Sequence, residues 1–277
     1  MSWVLAAAAA AGLVVLAERL WLTPEDQLTA EDACALPGGR VRLTARLQRY
    51  LLRFVDPPVP DARIEFHDGE TLLGSATTDA RGFASIEIDA GAPGLRRFRI
   101  VSPRAKQDLM VAVLPADAPI LVLDLDHTVA DVSPVRFALA ENRKVRPLPG
   151  AVEAIQALKG LYSIVYLTAR DHSFLSKTRD WLRLTGLPDG PVLIRRRRFW
   201  WLTPFAHKLE RLAELTKTHR PVAGVGDLPT DMEAYRRNGM TAYRMDPSGL
   251  VPASEGVIRV RSWREAEERL RVGRQST

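Results

Sequence analysis

The sequence predicts an α/β fold built on a parallel sheet, preceded by a small all-β sandwich and an apolar amino-terminal helix. Three observations predict it. From about residue 120 onward, short apolar runs alternate with stretches of helical period, the pattern of right-handed βαβ units around a parallel sheet. Between Gly39 and Val113 the hydrophobic period is two and turn residues recur every few positions, which argues for short antiparallel strands in a sandwich. At the start, Trp3 to Ala17 is an uninterrupted apolar run closed by Glu18-Arg19. The expected organisation is a signal or membrane-anchor segment at 1–22, a linker at 23–38, a β-sandwich at 39–115 and an α/β domain at 116–277.

The apolar run has the length of a secretory core segment but no basic stretch before it, and it is short for a span of about 20 apolar residues. Leu20-Trp21-Leu22 would extend it. We therefore expect a membrane-associated or exported protein, with the side of the membrane left open and an alanine-rich helix packed on the protein as the alternative. Thr23 to Asp32 is polar and acidic and reads as a short helix or linker. Val41, Leu43, Ala45 and Leu47 then alternate with Arg42, Thr44, Arg46 and Gln48, a half-buried strand. Ile64 to Phe66 and Thr71 to Gly74 flank Asp68-Gly69, a hairpin signal. Thr78 to Phe83 is a turn, Ala84 to Ile88 alternates again, and 97–101 and 109–113 supply further strands. Arg42, Arg46, Arg96, Arg97 and Arg99 solvate a strand face in the simpler reading and form a binding patch in the other.

Leu114 to Pro119 makes a proline-bounded junction into the α/β region. Ile120-Leu121-Val122-Leu123 has the composition of a strand buried on both faces. A helix follows Pro149-Gly150 at 151–158. Ser173 is placed to cap a helix carrying Leu175, Trp181 and Leu182. Val192 to Ile194 reads as a strand, Leu209 to Leu215 as a helix, Val222 to Val225 as a strand and 229–235 as a helix. A last helix from Trp263 to Leu270, rich in Glu and Arg, is expected to pack outside. Cys34 is the sole cysteine, so an intrachain disulfide is excluded. The net charge of +6 favours anionic partners such as phosphorylated lipid or nucleic acid.

The first buried strand runs straight into Asp124-Leu125-Asp126. Ligands of open α/β sheets bind beyond the carboxyl ends of the strands, where these two acids sit. Carboxylates so close repel unless a cation or a shared proton offsets their charge, so the pattern suggests a metal site with one acid left for chemistry.

Asp124-Leu125-Asp126-His127-Thr128 resembles the first motif of haloacid dehalogenase (HAD) superfamily phosphatases, DxDx[TV]. Ser163 to Thr168, an apolar strand ending in Thr, resembles the second motif. Lys208 resembles the third, and Gly226-Asp227 with Asp231 resembles the fourth, GDxxxD. All four stand in the superfamily's order. The resemblance implies that Asp124 is the nucleophile and forms an aspartyl-phosphate. Asp126 would protonate the leaving oxygen and then deprotonate the attacking water. Mg²⁺ is the implied cofactor, held by the Asp124 carboxylate, the Asp126 main-chain carbonyl, Asp227 and Asp231. Thr168 and Lys208 would bind the phosphoryl group. Read as single residues, Asp126 is a turn or metal-site carboxylate, Asp231 a helix-start acid and Lys208 a surface lysine.

From Asp124 to Tyr243 the chain resembles one subgroup, the lipin-type (LNS2) and actin-patch-associated phosphatidate phosphatases. The shared features are the short path between the first two motifs, Thr168-Ala169-Arg170-Asp171, 190–195 and Ala206-His207-Lys208-Leu209. His127 departs from the DIDDT or DIDGT usual there. The stretch 60–88, especially Thr78-Asp79 with Gly82-Phe83-Ala84, resembles bacterial Ig-like or transthyretin-like modules. No segment between the first two motifs, or between the strand at 192–194 and Lys208, is long enough for a large separate cap domain. Arg195, Arg196, Arg197, Arg198, Trp200 and Trp201 form a basic, aromatic run that suits the rim of a site facing anionic headgroups, or an edge strand protected by charge. The expectation is a Mg²⁺-dependent phosphoric monoester hydrolase acting on a phosphorylated lipid. A nucleic-acid end phosphatase and a non-catalytic phospholipid-binding module stay open as alternatives.

Overall fold

The computed structural model describes residues 25–50, 57–195, 204–250 and 254–275. The apolar segment at 1–22 and the residues Arg196, Arg197, Arg198, Trp200 and Trp201 lie outside the described residues. Among those described, no helix is long and apolar enough to cross a membrane. The described residues divide into two compact units: 25–30, 42–50, 57–86 and 98–109 form one, and 31–41, 87–97, 110–195, 204–250 and 254–275 the other.

The β-rich part carries β1 (Glu25–Ala30), β2 (Ala33–Ala35), β3 (Arg40–Tyr50), β4 (Arg63–Asp68), β5 (Thr71–Thr77), β6 (Phe83–Asp89), β7 (Gly94–Val101) and β8 (Lys106–Val113). They form a three-stranded sheet, β1-β3-β6, and a five-stranded sheet, β2-β8-β7-β4-β5. The expected alternation holds along β3, where Val41, Leu43, Ala45 and Leu47 are buried. The hairpin also forms: Asp68 pairs with Thr71 across a two-residue loop whose Gly69 has φ +59°. The turn after Thr78 is organised by Asp79, whose carboxylate accepts from the backbone of Arg81 at 2.8 Å and Phe83 at 2.9 Å. These bonds hold its pKa below the usual carboxylate range.

One expectation fails here. The polar stretch read as a linker or short helix supplies β1, antiparallel to β3, and β2, parallel to β8. Leu28 and Ala30 turn into the core of the first unit. Pairing with a strong neighbouring strand outweighs a composition poor in β-formers, because strand preference is mostly a matter of context.

The α/β part contains β9 (Ile120–Asp124), α1 (Pro134–Leu139), α2 (Ala151–Leu158), β10 (Ser163–Asp171), α3 (Leu175–Leu184), β11 (Val192–Arg195), α4 (Pro204–Leu215), β12 (Pro221–Gly226), α5 (Pro229–Arg237), β13 (Thr241–Met245), β14 (Val257–Val260) and α6 (Trp263–Gln275). Its six strands are all parallel, in the order β11-β10-β9-β12-β13-β14. The first strand of this part, β9, thus lies between the second and the fourth, and the chain changes direction across the sheet between β9 and β12. That reversal opens a crevice at the carboxyl ends of these two strands.

Alternation along β9 sorts the core into two layers. Leu121 and Leu123 join α2, α3 and α6 through Ile155, Trp181, Trp263 and Leu270 on one face. Ile120 and Val122 join α4 and α5 through Leu212, Met232 and Tyr235 on the other. A strand covered on both sides must be apolar throughout, which is why it reads as an unbroken hydrophobic run.

One further expectation is corrected. The residue at the start of α3 is Phe174 rather than Ser173, and the Asp171 side chain accepts from the Ser173 amide at 3.0 Å, opening a short 3₁₀ turn ahead of that helix. The last helix covers one face of the sheet, with Trp263, Ala266 and Leu270 buried against the core. Its Glu and Arg residues occupy the outer side in i,i+4 pairs such as Arg271–Glu267 at 2.8 Å. The short strands β13 and β14 and the helix α1 have no counterpart in the sequence reading.

Candidate active site

β9 ends at Asp124, and the chain turns at once. The Leu125 carbonyl accepts from the amides of Thr128, Val129 and Ala130, and His127 stands in the left-handed region with φ +57°. That conformation suits Gly best and tolerates Asp, Asn and His better than most other residues. His127 therefore meets a backbone demand; its side chain is exposed. The Thr128 carbonyl accepts from the Trp263 indole at 2.8 Å, which fastens the turn to α6. Thr128 Oγ1 lies 3.4 Å from both Asp124 Oδ2 and Asp227 Oδ1.

The structure brings Asp124, Asp227 and Asp231 together, each offering an oxygen within 4.8 Å of the others. Asp227 follows the end of β12, the strand beside β9, and Asp231 sits in the first turn of α5. Gly226 makes this convergence possible. A Cβ there would lie 2.6 Å from Asp231 Oδ2 and 2.8 Å from its Cβ, so any side chain would push the acid aside. Lys208, from α4, donates to Asp124 Oδ1 and Asp231 Oδ1, both at 2.7 Å. Asp231 also accepts from the Leu228 amide at 3.3 Å, so it serves its helix start as well as the cluster.

Burial pushes the Asp124 carboxyl up to about 7; the Lys208 charge opposes the shift and the Asp231 and Asp227 charges add to it. Burial followed by the Asp231 charge raises Asp227 too. Lys208 loses hydration on burial, yet Asp124 and Asp231 outweigh that and hold its pKa above the ordinary lysine range. Three carboxylates against one ammonium leave excess negative charge in a buried place. A hard divalent cation with oxygen ligands fits that donor set.

Asp126 points elsewhere. Its carboxylate takes a two-pronged ion pair from Arg170, with Nε 3.1 Å from both oxygens and Nη2 2.8 Å from Oδ1. Thr168 Oγ1 lies 3.5 Å from Asp126 Oδ2 and accepts from the Arg170 amide at 3.2 Å. Thr168 is fully buried at the carboxyl end of β10. His207 sits beside Lys208, and its Nε2 is 3.1 Å from the Thr168 carbonyl. Burial, reinforced by Arg211, lowers the His207 pKa to about 3. The ring is therefore neutral at ordinary pH and, facing a carbonyl, donates through Nε2. Arg195 closes β11 on this same carboxyl edge, paired in register with Asp171.

Arg170 and His207 stand in segments that carry the subgroup resemblance, but the sequence assigns neither of them a role. The signal for Arg170 was present: it stands two positions after Thr168 on one strand, so the two side chains share a face. For His207 there was none, because a histidine beside a helix lysine predicts nothing in particular.

A parallel sheet with this strand order, and an acid cluster at its direction reversal fed by the four motif segments, defines a HAD-like domain. More closely, residues 121–245 match the family model described as PITM 1-3, LNS2 domain. No curated protein matches the chain. Among solved structures, the chain is similar to a HAD-superfamily hydrolase from Ehrlichia chaffeensis at 10% identity and TM-score 0.40, covering 56% of this chain and 98% of that one. It is also similar to a chain of the Pnkp1/Rnl/Hen1 RNA repair complex at 15% identity and TM-score 0.38, covering 43% of this chain. The match spans about two fifths of that longer chain, 39% of its length. Its β-rich part is similar to the Ig-like domain I81 of titin at 10% identity and TM-score 0.25, covering 33% of this chain and 99% of that one.

Proposed function

We propose that the protein is a Mg²⁺-dependent phosphatase that cleaves a phosphomonoester through an aspartyl-phosphate on Asp124. The observation that carries this reading is the convergence of Asp124, Asp227, Asp231 and Lys208 at the carboxyl end of β9. Asp124, Asp227, Asp231 and the Asp126 main-chain carbonyl would hold the cation. When bound, Mg²⁺ would offset the charge of the phosphoryl group.

Asp124 attacks phosphorus: its carboxylate oxygen bonds to phosphorus as the bond to the leaving oxygen breaks. Asp126 hands that oxygen a proton, and an alcohol departs. Water then attacks the same phosphorus, the Asp124–phosphorus bond breaks, Asp126 takes the water's proton, and phosphate leaves. Lys208 sits where it offsets negative charge beside the nucleophile, and the Thr168 hydroxyl, now 3.5 Å from Asp126 Oδ2, would turn its donor to a phosphoryl oxygen.

The substrate class we propose is a phosphorylated lipid such as phosphatidate, held at a membrane. Support comes from the net charge and from the chain leaving the site's edge at Arg195 into three further arginines and two tryptophans. The amino-terminal apolar segment would supply the anchor.

The test is phosphate release from short-chain phosphatidate, p-nitrophenyl phosphate and a 5′-phosphorylated oligonucleotide, with Mg²⁺ and with chelator, by wild type and by Asp124→Asn. An amide cannot form the acyl-phosphate, so turnover by the variant is expected to fall at least about 10³-fold. Turnover by the variant at the wild-type rate rules out Asp124 as nucleophile. Release from the oligonucleotide alone makes nucleic-acid ends the substrate, and phosphatidate binding without release by wild type makes the site a binding module.

A further inference from the structure

The pairing of Arg170 with Asp126 has a directional geometry. Asp126 Oδ1 accepts from Arg170 Nη2 at 2.8 Å and from Nε at 3.1 Å. Of the guanidinium nitrogens only Nε reaches Oδ2, also at 3.1 Å, and Oδ2 accepts a longer bond from the Thr168 hydroxyl at 3.5 Å. The guanidinium is itself held on several sides. Its carbon lies 3.4 Å from the centre of the Phe137 ring and 5.8 Å from that of Trp181, its Nη1 donates to Thr178 Oγ1 at 3.2 Å, and only 1% of the side chain is exposed. Phe137 and Trp181 meet edge to face, with ring centres 6.4 Å apart. The charge is therefore buried inside an aromatic cage built by α1 and α3. A cation placed so costs hydration free energy that its partners offset only in good geometry.

We infer that Arg170 is a positioning residue: it fixes the rotation of the Asp126 carboxyl, anchoring Oδ1 and presenting Oδ2 for proton exchange with the leaving oxygen. The inference rests on the phosphatase reading above and deepens it. If Arg170 aims the proton donor, its loss harms a substrate in proportion to that substrate's need for a proton. An alkoxide leaving from a lipid phosphate needs one; p-nitrophenolate leaves without it.

The experiment compares kcat/KM, which reports the step in which the leaving group departs, for wild type and Arg170→Ala. The two substrates are dihexanoyl phosphatidate and p-nitrophenyl phosphate. The expected result is a loss of about 10²-fold on the alkyl ester, within the range for proton transfer by a positioned side chain. The loss on the aryl ester is expected to stay under about 5-fold on the same grounds. Millimolar guanidinium chloride should restore part of the alkyl-ester activity by refilling the cage. A merely structural role would lower both substrates alike and would not respond to guanidinium.

Arg170→Ala also leaves Asp126 without its counter-ion, so Thr178→Val serves as the second variant. It removes one anchor of the guanidinium and keeps the charge. A smaller loss of the same kind, greater on the alkyl ester, is expected. Equal losses on both substrates, or no loss, in whichever variant folds overturn the inference and leave the phosphatase reading standing. A wild type that turns over neither substrate overturns that reading and this inference with it.

Discussion

The Nζ of Lys208 lies 2.7 Å from Oδ1 of Asp124 across 84 positions of sequence. The same ammonium reaches Asp231 at an equal distance, so one lysine offsets part of the charge of two buried acids. Removing one member of such a group is costly because the others stay behind uncompensated. Lys208→Met is expected to lose about 3–5 kcal/mol of stability in the absence of divalent cation. Urea unfolding with and without Mg²⁺ checks this. A loss that Mg²⁺ partly restores fits the charge argument, and an unchanged midpoint contradicts it.

Asp227 occupies a different position, half-buried and joined to the turn only through Thr128. Asp227→Ala should spare the fold, since it removes one of three mutually repelling carboxylates. It should weaken the response to Mg²⁺ instead, shifting the activating concentration upward by about tenfold or more, about 1.4 kcal/mol of cation binding. A Mg²⁺ titration of activity that matches wild type would take Asp227 out of the metal shell.

His207 gives the protein a defined acid sensitivity. Its folded pKa of about 3 lies below the ordinary value of 6.5, so between these pH values the unfolded chain binds the extra proton. Stability from this residue is complete above about 6.5 and is lost as pH falls, at up to about 1.4 kcal/mol per pH unit. His207→Asn keeps a donor for the Thr168 carbonyl and removes the titration. Its stability should fall less steeply than wild type from pH 6.5 to 4; parallel curves would show that the ring does not stay neutral.

The Asp124 run and the four motif segments were readable because each belongs to one strand end or helix start, where local pattern and function coincide. β1 was not. Glu25-Asp26-Gln27 carries no strand preference of its own and becomes a strand only because β3 offers it a partner. The cluster's members were legible one by one, whereas their pairing was not: whether Asp126 faces the carboxylate cluster or Arg170 depends on where α1 and α3 place Phe137 and Trp181. The outer arginines of α6 masked its buried Trp263, since charge is conspicuous in sequence and a single core tryptophan is not.

The membrane proposal makes its own prediction. Deleting residues 1–22 should leave hydrolysis of p-nitrophenyl phosphate unchanged and weaken action on phosphatidate in liposomes. Replacing Trp200 and Trp201 with Ala should add to that loss, because two contacts on one surface reinforce each other through effective concentration. Liposome co-sedimentation alongside both activities decides it. If both proteins fold and neither change alters co-sedimentation, the substrate is a soluble one.

The bond from Trp263 to the Thr128 carbonyl bears on the order in which a ribosome could produce a working site. Once Asp231 has been made, every carboxylate, the lysine and the cage around Arg170 exist as chain. The turn that carries Thr128 still lacks its anchor, and the α2 face of the sheet still lacks the covering of α6. Domains settle as units during synthesis, so the emerging chain would hold its chemistry in reserve until the last helix has cleared the exit tunnel. The acid cluster would then be braced by a tryptophan that is not one of its members.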